Sequence, residues 1–264
     1  MNWRIYLAIF LILGGGMTLL GNFGLLSSQA WIYLIGLACI VGGLVLLWRA
    51  RPKPLRLERV AATAPLENAT RATFNFKHGA GILKLSADAD ATRLFAGTFD
   101  GAVVSKVSRA DDDVRVSFKT PSEIWSQLSQ IKTHALEWNV TLNRNIPIAL
   151  QYEGGAGEAQ MDCTELYLTN LDLETGASPT HVILPSPRGA LRVVIHSGAA
   201  PVRVRVPTAA RVSIHGAPGL GLLDADAKRF PEREPGILQS DGYAEAADRI
   251  EITIEGGIAP VEIR

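Results

Sequence analysis

The sequence has little cysteine and no excess of positive or negative charge, and each absence excludes a class of protein. Among its 264 residues are two cysteines, Cys39 and Cys163. Cys39 lies in an apolar run and Cys163 in an alternating one, so we expect no disulfide framework. The 26 basic and 26 acidic residues give a formal net charge of zero. Nucleic acid is therefore not expected as a partner.

Motifs for catalysis and cofactor binding are also missing. The chain contains no G-x-x-x-x-G-K-[ST] loop for nucleotide phosphates and no serine in a G-x-S-x-G context. Aspartates do occur close together, as a glycoside hydrolase would need, at Asp88 and Asp90, at Asp111 to Asp113, and at Asp224 and Asp226. Each group lies in a predicted turn, where aspartate bonds the local backbone. We expect no enzyme activity and no cofactor, and keep an anchored polysaccharide hydrolase as an alternative.

Three histidines each lie shortly before a glycine that ends an alternating run. They are His78, His196 and His215. Stacked strands could bring imidazoles together as metal ligands. Their offsets from the preceding apolar residue differ, however, so we predict solvent-facing residues at corners and no metal site.

Two long apolar runs occupy the beginning of the chain, at Ile5 to Leu20 and at Trp31 to Trp48. Each is about long enough to cross ~30 Å of hydrocarbon as a helix, the first if it continues toward Leu26. Tryptophan and tyrosine stand near their ends, as they do at bilayer interfaces. We therefore predict a two-span transmembrane hairpin over residues 1–50. A hairpin buried in a soluble core and a cleaved signal peptide ending at Ala30 are the alternatives.

Basic residues that follow the second run indicate the orientation of this hairpin. They are Arg49, Arg51, Lys53, Arg56 and Arg59. Under the positive-inside rule both termini lie in the cytoplasm, and the uncharged turn from Gly21 to Ala30 lies outside. The same residues could contact anionic lipid headgroups or could serve only to fix the topology. Prolines within residues 51–71 predict a linker there.

The rest of the chain, residues 72–264, alternates apolar and polar residues and predicts an all-β domain. In its clearest repeat, an alternating apolar run ends three residues before a glycine. The glycines are Gly155, Gly176 and Gly198, which are 21 and 22 residues apart. That spacing is typical of a solenoid, so we favour a β-solenoid-like stack over a two-sheet sandwich. Glycine would supply the positive φ of each corner.

Less regular parts of this domain give weaker predictions. Ala91–Phe95, Gly97–Val107 and Val114–Phe118 are predicted as a strand meander, with a tight turn at the aspartates between the last two. Strict alternation around Trp138 predicts that its ring faces the core. Gly216 to Gly242 is interpreted as a surface insertion, after which a final repeat unit extends from Ile250 to Ile263.

Arginines in the second half of the domain form a candidate binding surface. Arg203 and Arg205 alternate with valines and therefore share one outward face. We expect Arg192 and Arg211 to join them from neighbouring coils. Such a basic stripe could bind an acidic protein or lipid headgroups, or could simply be a solvated strand face.

Several segments carry a resemblance to a known family. The apolar front, with Gly14–Gly16 and the run around Trp31–Leu37, resembles the LiaI–LiaF-like transmembrane region. The rear resembles the C-terminal, or toastrack, domain of LiaF-like proteins of the bacterial envelope. The matching segments there are Trp138–Leu142, Ile146–Leu150, Gly154–Ala159, Cys163–Leu166, Leu171–Ala177 and Tyr243–Ile250 followed by Gly256–Gly257. This chain departs from the usual pattern at Met161–Cys163 and after Gly176 and Gly198.

The resemblance implies a multi-pass protein of the bacterial cytoplasmic membrane that modulates a cell-envelope stress response, often through a sensor kinase. It implies no catalytic residues. A second hypothesis comes from the strand pattern itself: exposed coil edges could stack end to end, making the chain a homo-oligomeric, membrane-bound scaffold.

Overall fold

The computed structural model describes residues 59–88, 90–101, 103–121, 136–217 and 223–264. The predicted transmembrane hairpin over residues 1–50 lies outside these residues, as do Arg49, Arg51, Lys53 and Arg56. None of the described segments forms a helix of the length and apolar composition that a bilayer crossing requires. The described chain is built from strands and turns, which confirms the all-β prediction.

The described strands number 17 and are named in chain order. They are β1 (Arg59–Pro65), β2 (Arg71–Asp88), β3 (Arg93–Asp100), β4 (Val104–Ala110), β5 (Asp113–Lys119), β6 (Glu137–Asn143), β7 (Ile148–Asp162), β8 (Leu168–Thr175), β9 (Thr180–Ile183), β10 (Ala190–His196), β11 (Val202–Arg205), β12 (Arg211–Ala217), β13 (Leu223–Ala225), β14 (Glu232–Glu234), β15 (Ile237–Gln239), β16 (Arg249–Glu255) and β17 (Val261–Ile263).

Hydrogen bonding arranges these strands in two ladders around one core. The front sheet has the order β4-β5-β2-β7-β8-β10-β16-β12-β15-β14. The back sheet has the order β1-β3-β6-β2-β7-β9-β11-β17-β13. The long strands β2 and β7 bend and contribute to both sheets. One turn of the chain, here called a coil, therefore passes along the front, round a corner and along the back.

The coils stack in parallel and in register, as the glycine repeat predicts. Leu150 of β7 lies beside Phe74 on one side and Leu171 on the other. Val193 and Ile252 continue the same row into the following coils. Side chains of one parity point inward and are buried, while those of the other parity face solvent. Each coil thus covers the apolar edge of the next.

The corner glycines are required by close stacking of the backbone. A Cβ added to Gly155 would lie 2.4 Å from the carbonyl oxygen of Gly79, and one added to Gly198 would lie 2.2 Å from that of Gly176. Neither Gly155, Gly176 nor Gly198 is among the glycines with positive φ. The expectation that these corners need positive φ is therefore wrong: the space between adjacent coils excludes a side chain there.

The order of the coils departs from the order of the chain at both ends of the stack. The middle coils follow the sequence through β2, β7, β8–β9 and β10–β11. The β5–β6 coil, by contrast, packs on the outer side of β2. The last coil, β16–β17, lies between β10–β11 and β12–β13, because Arg249 pairs with Ala190 on one side and with Arg211 on the other. The final residues of the chain are thus an interior layer.

The segment Gly216–Gly242, interpreted above as a surface insertion, belongs in part to the stack. Strand β13 completes the coil begun by β12, and the β14–β15 hairpin extends the front sheet. Phe230 is fully buried, and the Arg229 guanidinium donates to the carbonyls of Val206 and Pro207. Three-residue strands are too short for an alternation to be recognised, which explains the error.

Two further boundaries differ from the sequence prediction. Strand β1 lies within the predicted linker of residues 51–71 and pairs with β3 from Arg59 to Pro65. Its inward positions are alanines, which give a weak apolar signal. The predicted strand Gly97–Val107 is interrupted at Gly101, which has a φ of +87°, and the chain resumes as β4. The turn between β4 and β5 is where it was predicted, with Asp111 at a φ of +54°.

Candidate binding cavity on the front sheet

The arginines predicted to form one basic stripe lie on two different sheets. Arg192 is on β10 and Arg211 on β12, both in the front sheet, whereas Arg203 and Arg205 are on β11 in the back sheet. The prediction of a single stripe is wrong because the chain turns a corner between β10 and β11. Outward residues on the two arms of one coil face away from each other.

Two of the predicted basic residues already have carboxylate partners. Arg203 Nε lies 3.2 Å from Glu262 Oε2 on the adjacent strand β17. Arg59 Nε lies 2.7 Å from Asp100 Oδ1, and this hydrogen bond and charge raise the pKa of the guanidinium. Arg59 therefore fastens β1 to β3, and Arg203 forms part of a surface ion pair.

A cavity of about 460 Å³ lies on the outer side of the front sheet near its carboxyl-terminal end. Its floor is formed by β10, β16, β12 and β15, which are neighbours in that sheet. One wall is the β14–β15 hairpin, with Arg233 and Glu234. Another is the connection from β15 to β16, with Tyr243 and Ala244. The volume falls within the roughly 300–1,000 Å³ of small-ligand sites.

Arginines cluster at this cavity. Arg192 and Arg249 line it, and Arg211 lies directly beside Arg249 in the register of β12 and β16. Within the described part of the chain, none of these three guanidiniums has a carboxylate at ion-pair distance. Like charges directly opposite each other on neighbouring strands destabilise a sheet. The register of β12 and β16 therefore places two like charges, Arg211 and Arg249, side by side.

Hydrogen-bonded polar side chains form the centre of the floor. Ser213 is 1% exposed, and its hydroxyl lies 3.0 Å from His215 Nε2. Gln239 Nε2 reaches the same hydroxyl at 3.5 Å. Glu251 lies between Arg192 and Ser213 in the register of the three strands. The floor thus offers hydrogen-bonding groups next to both signs of charge.

The wall beside β16 is held by specific contacts. The Arg249 guanidinium lies over the Tyr243 ring, with 5.8 Å from Cζ to the ring centroid, and donates to the carbonyl of Ala246 at 3.2 Å. Asp248 Oδ1 accepts from the amide of Gly189 at 2.6 Å. Burial, and then the charge of Glu251, raises the pKa of the Tyr243 phenol.

Comparison with known proteins identifies the fold family. Residues 55–205 match the family described as the N-terminal domain of toast_rack, DUF2154. The chain belongs to the toast_rack family. No curated protein matches the chain.

A solved relative supports the same fold for the toast_rack domain. It is the crystal structure, at 1.95 Å resolution, of a protein described as a candidate cell adhesion protein from Clostridium sporogenes. The two share 21% identity with a TM-score of 0.66, over 78% of this chain and 98% of the other. A candidate adhesin from Bacteroides fragilis also covers 78% of this chain, with 8% identity and a TM-score of 0.28.

Most of the cavity lies outside the matched family segment. Arg192 is within residues 55–205, whereas Ser213, Gln239, Tyr243 and Arg249 follow it. Sequence reasoning identified Arg192 and Arg211 but missed Arg249. A signal was available: Arg211 precedes Val212 as Arg249 precedes Ile250, so alignment of the two repeat units would have placed the two arginines side by side.

The three histidines of the toast_rack domain have unlike surroundings. His196 is exposed, with Nδ1 3.4 Å from Glu255 Oε2. His78 is 1% exposed and packs on Trp138 with 4.8 Å between ring centroids, so the prediction that it faces solvent is wrong. It shares the parity of Phe74 and Phe76, which carries it into the core. Burial lowers the pKa of His78 to about 4. Within the described residues no cluster of metal-ligating side chains occurs.

The aspartate pairs make local structural contacts. Asp88 accepts from the Asp90 amide at 3.0 Å and from Arg93 at 2.9 Å. Asp90 accepts from the amide of Thr92 at 2.9 Å. Asp224 accepts hydrogen bonds from both terminal nitrogens of Arg264, and these hydrogen bonds lower the pKa of the Asp224 carboxyl. These bonds close turns and join strands, so they give no support to the hydrolase alternative.

Proposed function

We propose that this toast_rack protein is a non-enzymatic, membrane-anchored accessory protein that regulates a bacterial cell-envelope stress response through protein contacts of its β domain. The apolar runs of residues 5–20 and 31–48 would anchor it in the cytoplasmic membrane, with both termini in the cytoplasm. The resemblance to LiaF-like proteins points to a sensor kinase or another envelope signalling protein as the partner.

The observation that carries this proposal is the arginine-lined cavity. Its floor and one wall come from strands in register, and contacts of Arg249 and Asp248 hold the other wall, so the polar groups are in place before any partner arrives. Preorganised groups lose little conformational entropy on binding. The described residues around it contain a Ser213–His215 hydrogen bond but no acceptor that would orient the second ring nitrogen of His215, as a nucleophilic triad requires. The cavity is therefore suited to recognition.

The test is site-specific photocrosslinking in the native cell. A photoreactive amino acid replaces Tyr243 in the cavity of the full chain, and a control variant carries it at His181 on the back sheet. We expect the position 243 variant to capture an envelope or sensor protein, and Arg192→Gln to reduce that capture. Capture of no such protein, or equal capture from both positions, would contradict the proposal.

Topology is tested separately. A reporter fused after Arg264 is expected to be active in the cytoplasm. Activity of the reporter only outside the cytoplasm would overturn the placement of the domain, whatever its partner.

A self-assembling scaffold is the second candidate, and one observation favours it. Among the described strands, β4 pairs with β5 alone, and it is exposed along its whole length, including Val104 at 54% and Val107 at 40%. An open strand edge can pair with another chain, although Lys106 on this edge opposes that pairing. Mass measurement of the full chain in detergent distinguishes the candidates, since a strictly monomeric protein at high concentration would exclude the scaffold.

A further inference from the structure

We propose that the cavity on the front sheet binds an acidic peptide segment, with a side-chain carboxylate held between Arg192 and Arg249. This inference rests on the proposed function and names the chemistry of the partner. It concerns residues 190–251, most of which lie beyond the segment that defines the family.

The first argument is the unbalanced charge on one side of the floor. Arg249 and Arg211 are direct neighbours, and Arg192 lies one strand away on the other side of Arg249, displaced by two residues. Adjacent strands are ~4.8 Å apart, so a single carboxylate can reach two of these guanidiniums. Arginine presents a planar fork that binds a carboxylate through two hydrogen bonds. A bound carboxylate would also relieve the repulsion between Arg249 and Arg211.

The second argument is the position of Glu251. It lines the same cavity and lies between Arg192 and Ser213, so an anion cannot cover the whole floor without meeting a like charge. The ligand must therefore offer an anion to the arginines and a hydrogen-bond donor to Glu251. A peptide offers both, because its carboxylate can bind the arginines while a backbone amide donates to Glu251. The phenol of Tyr243, which also lines the cavity, provides a further polar partner. A densely charged polyanion would satisfy the arginines and be repelled by Glu251.

The third argument concerns size and rigidity. A cavity of about 460 Å³ admits a few residues of extended chain and excludes a folded domain. The Tyr243 ring is held against Arg249, and Asp248 fixes the connection through the Gly189 amide. The wall is therefore in place without a ligand, and the ligand must be a narrow segment that enters from solvent.

The experiment measures binding of a fluorescent peptide to the full chain in detergent. The probe is a hexapeptide of alternating glutamate and glycine, and its matched control has glutamine in place of glutamate. We expect the glutamate peptide to bind and the glutamine peptide to bind at least ~10-fold more weakly, because charge-assisted hydrogen bonds are lost. Arg192→Gln with Arg249→Gln is expected to weaken the glutamate peptide by at least ~10-fold, and Glu251→Gln to tighten it.

The control is Arg205→Gln, which removes an exposed arginine from the back sheet and is expected to leave peptide binding unchanged. Equal binding of the two peptides, or equal loss in the Arg205→Gln and cavity variants, would overturn the inference. So would failure of the glutamate peptide to bind. If the photocrosslinked partner is still captured at position 243 in that case, the ligand class is wrong and the proposed function stands. If both fail, the proposed function fails as well.

Discussion

The two ends of the stack are built from different side chains. At the amino-terminal end the core is aromatic: Phe76 and Phe118 stack with 4.8 Å between centroids, and Phe99 meets Trp138 edge-on at 5.3 Å. At the carboxyl-terminal end the buried apolar positions of β11, β12, β16 and β17 are valines and isoleucines. Protein interiors are packed to a nearly constant density, so smaller side chains require a narrower core. The volume of the core side chains therefore decreases from the amino-terminal to the carboxyl-terminal end of the stack.

The two ends also differ in how they are closed. At the aromatic end, antiparallel strands β1, β3 and β4 cover the outer coil. At the aliphatic end, the last coil fills an interior position. The β14–β15 hairpin extends the front sheet beyond β12, and Phe230, just before the hairpin, is buried. Coils with the same repeat pattern therefore need not stack in chain order. What matters is that each apolar edge is covered, from whichever part of the chain.

The largest expected effect compares one core residue from each end. Phe76→Ala removes a fully buried ring with stacked neighbours and should lower the free energy of unfolding by about 4 kcal/mol. Ile252→Ala, equally buried, should cost about 3 kcal/mol because no aromatic contact is lost. Denaturant unfolding of the full chain in detergent, followed by circular dichroism, gives both values. A larger loss for Ile252→Ala would show that the inserted coil is the more stabilising end.

A glycine at a coil corner and one in open space provide the next comparison. Gly155→Ala places a Cβ 2.4 Å from the Gly79 carbonyl oxygen and should destabilise by about 3 kcal/mol, since adjacent coils must separate. Gly189 has a φ of +90° with nothing within 4 Å of an added Cβ. Gly189→Ala should therefore cost only the backbone strain, about 1 kcal/mol. Equal losses in thermal unfolding would contradict the spacing argument.

The sequence allowed prediction wherever the repeat is regular. Tyr152, Leu173 and Ile195 were predicted to end core-facing runs before a corner glycine, and all three are buried. Trp138 faces the core as its alternation predicted. These predictions succeed because period-2 alternation directly encodes which face is buried.

The order of the coils and the assembly of the cavity were not predictable in this way. Alternation shows that Ile252 faces inward but not which strands lie beside it, because that choice depends on long-range pairing. The cavity combines Arg192, Ser213, Tyr243 and Arg249 from separate units, and only the register of β10, β16 and β12 brings them together. The error about one arginine stripe has the same origin, since the corner between β10 and β11 sends neighbouring arginines to opposite sheets.

A buried and an exposed histidine should respond differently to pH. Burial lowers the pKa of His78 from 6.5 to about 4. Between these values the unfolded chain binds a proton that the folded chain does not, so stability rises with pH across this window and is lost below it. The lowered pKa of His78 changes the free energy of unfolding by about 3 kcal/mol across this window, at ~1.4 kcal/mol per pKa unit. His78→Leu should remove this dependence, measured as the difference from the native sequence at each pH. The exposed His196 is the control, and His196→Leu should leave the dependence intact.

The smallest effects compare a buried ion pair with an exposed one. Burial alone would raise the pKa of Asp88, but hydrogen bonds from the Asp90 amide and Arg93 outweigh it and lower that pKa. Asp88→Asn should therefore cost about 2 kcal/mol at neutral pH, and the difference should shrink as the pH falls from the ordinary range of a carboxyl through the lowered pKa of the native Asp88. Arg203→Gln breaks the pair with Glu262, whose side chains are 58% and 35% exposed. It should cost no more than about 0.5 kcal/mol. If unfolding titrations at neutral pH gave equal losses of stability for the two variants, burial would not explain a difference between the two ion pairs.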